Sequence, residues 1–178
     1  FTESQFRVHR IFYLLQKNCP NFDYLQGYDR FIYFSVCISL SFCHELNLNA
    51  DAIESFAYYT AYYFISYVSI AKEVLDTDSN LLIMSDLSDF LQEWSAPTAS
   101  AYKYQNLKCD LYAMNYLLLL FEEQHEPLET LVLWDLIVLH TNFENKMKGD
   151  QKKKEFIYAL MVAHIIQVQI GLNASDSM

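Results

Sequence analysis

The sequence predicts an all-α fold, arranged as a single compact multi-helix domain. Three observations predict it. Apolar residues recur at three- and four-residue spacing through most of the chain, as amphipathic helices require. Glycine and proline are scarce, three of each in 178 residues, which leaves little material for tight hairpins and few helix breakers. The chain is also 53% hydrophobic and 16% aromatic, enough for a sizeable core. Its charged fraction of 19% lies below the ~25% usual in soluble domains, which argues against disorder.

Phe6, Ile11, Phe12, Leu14 and Leu15 give a first amphipathic helix over 4–18. Cys19-Pro20-Asn21 ends it, because proline disfavours helical geometry at the residue before it. A second helix is expected over 27–45. Its 31–43 stretch carries no charge, so it is expected to be buried on most sides. After a break at 47–50, a tyrosine-rich helix is expected over 51–75. Asp76-Thr77-Asp78-Ser79-Asn80 reads as a loop, by its turn-forming composition. The helix expected over 81–94 offers Leu82, Met84, Leu87, Phe90 and Leu91 to its inner face. Residues 95–108 are expected to be irregular or a short helix. Leu111, Met114, Leu117, Leu118 and Phe121 mark a helix over 110–124. Glu126-Pro127 suits a helix start, since proline is tolerated in a first turn. That helix carries Leu131, Leu133, Trp134, Ile137 and Val138. A charged linker with Gly149 is expected over 142–154, then a final apolar helix over 156–172. The total is about seven helices.

Several chemistries are disfavoured. The formal net charge is −10 and no basic stripe exists, so nucleic acid is not an expected partner. His9, His44, His125, His140 and His164 fall on different predicted elements without ligand-pair spacing, and no metal site is expected. There is no glycine-rich phosphate loop and no Gly-x-Ser-x-Gly elbow. Cys19, Cys37, Cys43 and Cys109 contain no Cys-x-x-Cys pair. Cys37 and Cys43 sit in apolar runs as small buried hydrophobes, which suits a reduced, cytoplasmic setting. The uncharged run 55–71 carries Tyr58, Tyr59, Tyr62, Tyr63 and Tyr67 and is short against the ~20 apolar residues of a membrane span. Lys146, Lys148, Lys152, Lys153 and Lys154 form the only basic cluster, expected as an exposed loop that could meet anionic lipid or an acidic partner. Glu122-Glu123 reads as a solvated helix end.

What remains is Tyr24-Leu25-Gln26-Gly27, a polar, flexible step between two apolar runs. The segment "YLQGYDRF" resembles the Tyr-x-Gln-Gly motif of TBC domains, the GTPase-activating domains for Rab-type GTPases. Downstream, "LYAMNYLLLLFEEQHEPLETLVLWDLIVLHT" (111–141) is similar to the later part of that family, where an apolar helix and an acidic turn lead into Arg-Leu-Trp-Asp. Here that motif reads Val132-Leu133-Trp134-Asp135. The first helix followed by an Asn/Pro turn and the Gln-Gly step also matches in layout. The resemblance spans nearly the whole chain, 1–178.

The resemblance implies a GTPase-activating domain that binds a Rab-type small GTPase and stimulates its GTP hydrolysis. In the family the glutamine of Tyr-x-Gln-Gly enters the GTPase active site and orients the attacking water. That role falls on Gln26, with Tyr24, Gly27, Tyr28, Trp134 and Asp135 as GTPase-binding or supporting residues. Tyr24 is expected beneath the glutamine loop, Trp134 in the core, and Asp135 as a hydrogen-bond acceptor near the site. A groove holding Gln26 beside Trp134 and Asp135 is expected. The domain needs no cofactor of its own, Mg²⁺ and GTP belonging to the partner. Other parts of a parent protein would bring it to endomembranes as a peripheral protein. The chemistry suits the role, because phosphoryl transfer needs positioning and charge stabilisation more than covalent help. An amide both donates to and accepts from water and phosphate oxygens. A glutamine just before a helix would sit where backbone N–H groups favour an anion. Gly27 would let another backbone approach closely.

Three departures from the family pattern stand out. The family's catalytic arginine lies in an Ile-x-x-Asp-x-x-Arg segment a few dozen residues before the glutamine. Gln26 is too near Phe1 to include it, so that segment is expected upstream, this chain being a partial domain. Arg7 and Arg10 are too close to Gln26 and lie in a predicted helix, so neither is cast as the arginine finger. Val132 replaces the arginine of the Trp-Asp motif, and Tyr28 replaces the usual methionine after Gln-Gly. The alternatives are a TBC-like pseudo-GAP that binds a GTPase or another protein without accelerating hydrolysis, and an unrelated helical scaffold binding a partner through its tyrosine-rich helix.

Overall fold

A computed structural model describes residues 3–19, 22–140 and 146–175. Among them all regular structure is helical, with no strand. Nine α-helices appear there rather than about seven. By internal contacts the chain forms two units, Phe1–Ser69 and Ile70–Met178.

In the first unit, α1 (Glu3–Asn18), α2 (Tyr28–Glu45) and α3 (Ala50–Tyr63) pack against one another in all three pairings. Ile11 and Leu15 of α1 meet a core of Phe31, Ile32 and Val36 from α2 and Ala57 and Ala61 from α3, all buried. The two alanines let the helix backbones come close. The uncharged α2 is not buried all round, because Tyr33 and Phe42 are largely exposed. Its buried serines are tolerated because each hydroxyl donates back one turn. Ser35 Oγ lies 2.8 Å from Phe31 O, and Ser39 Oγ 2.6 Å from Ser35 O. The tyrosine-rich helix does not run to residue 75. After Tyr63 it widens into a π-helical turn, Phe64–Val68, closed by Ser69 N donating to Phe64 O at 2.9 Å. The wider turn buries Phe64, Ile65 and Val68 together.

In the second unit, α5 (Thr77–Trp94) is the hub. It packs on α4 (Ala71–Leu75), α6 (Ala96–Tyr104), α7 (Cys109–Leu118) and α9 (Lys146–Ser175), while α8 (Pro127–Leu139) packs on α9. The buried face of α5 is Ile83, Leu87 and Leu91, spaced by four. Leu82, expected inward, is exposed, as is Leu111 of α7. The run 76–80 is not a loop. Asp76 caps α5, its Oδ2 accepting from Ser79 N at 3.0 Å. Residues 95–108 do contain a short helix, α6. Helix α8 starts at Pro127 with a capping box between Glu126 and Glu129.

The helix expected over 110–124 stops at Leu118. Leu120 and Phe121 take left-handed backbone angles, φ 45° and 67°, and Phe121 N reaches back to Tyr116 O at 3.0 Å. This is the six-to-one bond of a Schellman end, made with leucine where glycine is usual. Asn47 and Asn106 end α2 and α6 in the same way. A short 3₁₀ turn, Glu122–Gln124, follows Phe121. The linker expected over 142–154 lies outside the described residues at 142–145 and is otherwise helical, inside α9. Its basic cluster is no exposed loop. Lys153 is buried and Lys154 Nζ lies 4.0 Å from Glu73 Oε1, while Lys152 is exposed. Lysine is a good helix former, and its long stem can cover apolar surface.

Candidate functional site

The Gln26 turn is built by the end of α1, the start of α2 and a row of aromatic rings. Phe22 sets its edge against Phe12 of α1, with ring centroids 5.9 Å apart, and lies 5.8 Å from Tyr28. Tyr28 continues to Phe31 at 6.3 Å, and Phe31 to Phe64 at 5.1 Å. These contacts tie the segment after α1 into the core of the first unit. Tyr28 is therefore a buried support, 1% exposed, and no surface for a partner.

Above this row the chain reverses. Tyr28 N donates to Leu25 O at 3.1 Å, leaving Gln26 and Gly27 as the two central turn residues. Gly27 has φ 99° and ψ −13°, the third-position geometry of a type II turn, which a Cβ would strain. Gln26 is exposed at the turn, while Gly27 itself is buried. The glycine is thus required by backbone angle, and close approach of another backbone at Gly27 is not what the burial allows.

Tyr24 is half exposed, edge-on to Phe12 at 5.4 Å, and its hydroxyl donates to Asp29 Oδ1 at 3.1 Å and meets the backbone N–H of Gly27 in the turn. Burial, then the Asp29 carboxylate, holds the Tyr24 hydroxyl above its ordinary pKa. Asp29 stands in the first turn of α2 and supplies the negative charge that a helix start favours. Tyr28 N and Arg30 N are also taken, the latter donating to Gly27 O at 3.0 Å. The anion site expected at this helix start is therefore largely answered from within the chain. Arg7 and Arg10 converge on Glu54 of α3, at 3.5 and 3.2 Å.

Trp134 and Asp135 belong to the second unit, and Gln26 to the first. Trp134 is buried, and its Nε1 donates to Leu120 O at 2.8 Å. That bond satisfies a carbonyl exposed by the left-handed turn. Asp135 is on the exposed face of α8, as is Val132. Sequence reasoning missed Phe12, Phe22 and Asp29 as the parts that hold the turn. It also missed that His125 and His164 meet, 39 residues apart, with Nε2 atoms 2.7 Å from each other. No signal at helical spacing connects such a pair. Among the described residues no group of three or more metal-ligating side chains forms, and no helix is long and apolar enough to cross a membrane.

No family model, no curated protein and no solved structure matches this chain.

Proposed function

We propose that this chain is a TBC-like domain that binds a Rab-type small GTPase and stimulates its GTP hydrolysis, with Gln26 as the glutamine finger. The observation that carries the reading is the Gln26 turn. A neutral amide stands exposed, immediately before a helix, on a turn held by buried aromatic rings and a glycine at φ 99°. A rigid base under an exposed amide suits an insertion that must place one water within hydrogen-bond reach of a phosphate. The arginine finger of the active form would come from a segment before Phe1, since Arg7 and Arg10 are engaged by Glu54. Mg²⁺ and GTP would be the partner's, and the setting cytoplasmic, at endomembrane surfaces.

Two observations favour a second reading, a pseudo-GAP or protein-binding module. Val132 stands exposed where the family pattern has arginine, and Tyr59 and Tyr63 of α3 are also exposed, residues suited to a protein interface. Binding and single-turnover hydrolysis, measured together on a panel of Rab-type GTPases, separate the two. Stimulated hydrolysis supports the GAP; binding without stimulation supports the pseudo-GAP; neither rejects a Rab-type GTPase as the partner.

A further inference from the structure

We propose that His125 and His164 form an acid-opened clip between the start of α8 and helix α9. Their Nε2 atoms lie 2.7 Å apart with the rings at 85°, so one nitrogen donates and the other accepts. The tautomers follow from the outer partners. His164 Nδ1 is 2.9 Å from Leu160 O, and a carbonyl only accepts, so the proton of neutral His164 is on Nδ1. Its Nε2 is then the acceptor, and His125 donates from Nε2. One lone pair is left, on His125 Nδ1, and it faces Glu129 Oε2 at 3.5 Å.

These positions set what a proton at each nitrogen does. One on His125 Nδ1, facing the Glu129 carboxylate, leaves the N–H···N bond in place. One on His164 Nε2 as well occupies the acceptor itself. The bond is then lost and two like charges face each other at contact distance. The site is partly shielded from water, with Phe121 and Tyr116 ring centroids 5.1 and 6.0 Å from that of His164. Glu129 and Tyr116 are the titratable groups set against the pair. Glu122, Glu123 and Glu126 flank His125 in sequence, and on the other elements packed here Asp86 and Glu73 act on Tyr158 of α9. A bridging metal fits less well, since two bonds of ~2.0–2.1 Å at a tetrahedral angle hold the nitrogens ~3.3 Å apart.

The test is ¹⁵N-histidine NMR on the full chain from about pH 8 to about pH 4, with amide hydrogen exchange alongside. Neutral His164 is expected as the Nδ1–H tautomer and His125 as Nε2–H, with scalar coupling across the shared hydrogen bond. The coupling should persist with one ring charged and vanish when both are, and the α9 amides around His164 should then lose protection. His125→Gln should keep that protection at the same acid pH, because a glutamine amide can turn from donor to acceptor. An Nε2–H tautomer at His164 overturns the proposal. So does equal α9 protection in the two proteins with both native rings charged.

Discussion

Gly27 holds φ at 99° at a point where the chain must reverse between α1 and α2. A Cβ there costs about 1–2 kcal/mol, because the left-handed region crowds it against the backbone. Gly27→Ala should therefore destabilise the protein by about that amount in urea unfolding, and an unchanged midpoint would contradict the turn geometry. Gln26 differs in kind. It is exposed, so Gln26→Ala should leave the unfolding midpoint within about 0.5 kcal/mol of the parent. The two neighbours thus divide the work, one fixing the turn and the other facing outward. Tyr28, read from the sequence as a site residue, belongs with the first: its ring is locked between Phe22 and Phe31.

Helix interiors were legible in the sequence and several helix ends were not. The starts of α2 and α8 could be read, one from the Gln-Gly step and the other from Glu126-Pro127. The start of α5 was hidden because Asp-Thr-Asp-Ser-Asn has the composition of a loop and also that of a cap. The Asp76 carboxylate accepts from the Ser79 backbone and side chain, and these bonds hold its pKa below the usual value. A depressed folded-state pKa means the contribution is complete above the ordinary carboxylate range and is lost as pH falls through the folded value. Asp76→Ala should lower the thermal midpoint at neutral pH, and the gap from the parent should close in acid; a gap independent of pH would contradict the cap. The end of α7 was hidden because leucine, not glycine, takes the left-handed position at 120. That conformation persists because Leu120 is fully buried and its carbonyl receives the Trp134 indole. Trp134→Phe keeps an aromatic ring but strands the carbonyl. It should cost about 1–3 kcal/mol by denaturant unfolding, and no loss would show that the bond is dispensable.

At the scale of the whole chain, the all-α class followed from periodicity and from the scarcity of glycine and proline, which are global properties of a sequence. The candidate site was legible only in part. Gln26 and Gly27 stood out as a polar, flexible step in apolar surroundings. Phe12, Phe22 and Asp29 did not, because an aromatic on a helix face or an acid in a first turn looks the same whether it props a site or only packs. The central claim is that Gln26 acts in a partner's active site. Its most direct test is single-turnover GTP hydrolysis by a panel of Rab-type GTPases, using the chain together with the upstream segment expected to carry the arginine. An arginine finger is worth ~10³–10⁵ in rate, and on the proposed reading the glutamine would position the water that this charge stabilisation serves. The account predicts strong stimulation of at least one GTPase, largely abolished in Gln26→Ala although the variant's unfolding midpoint is unchanged. Full stimulation by Gln26→Ala would contradict it.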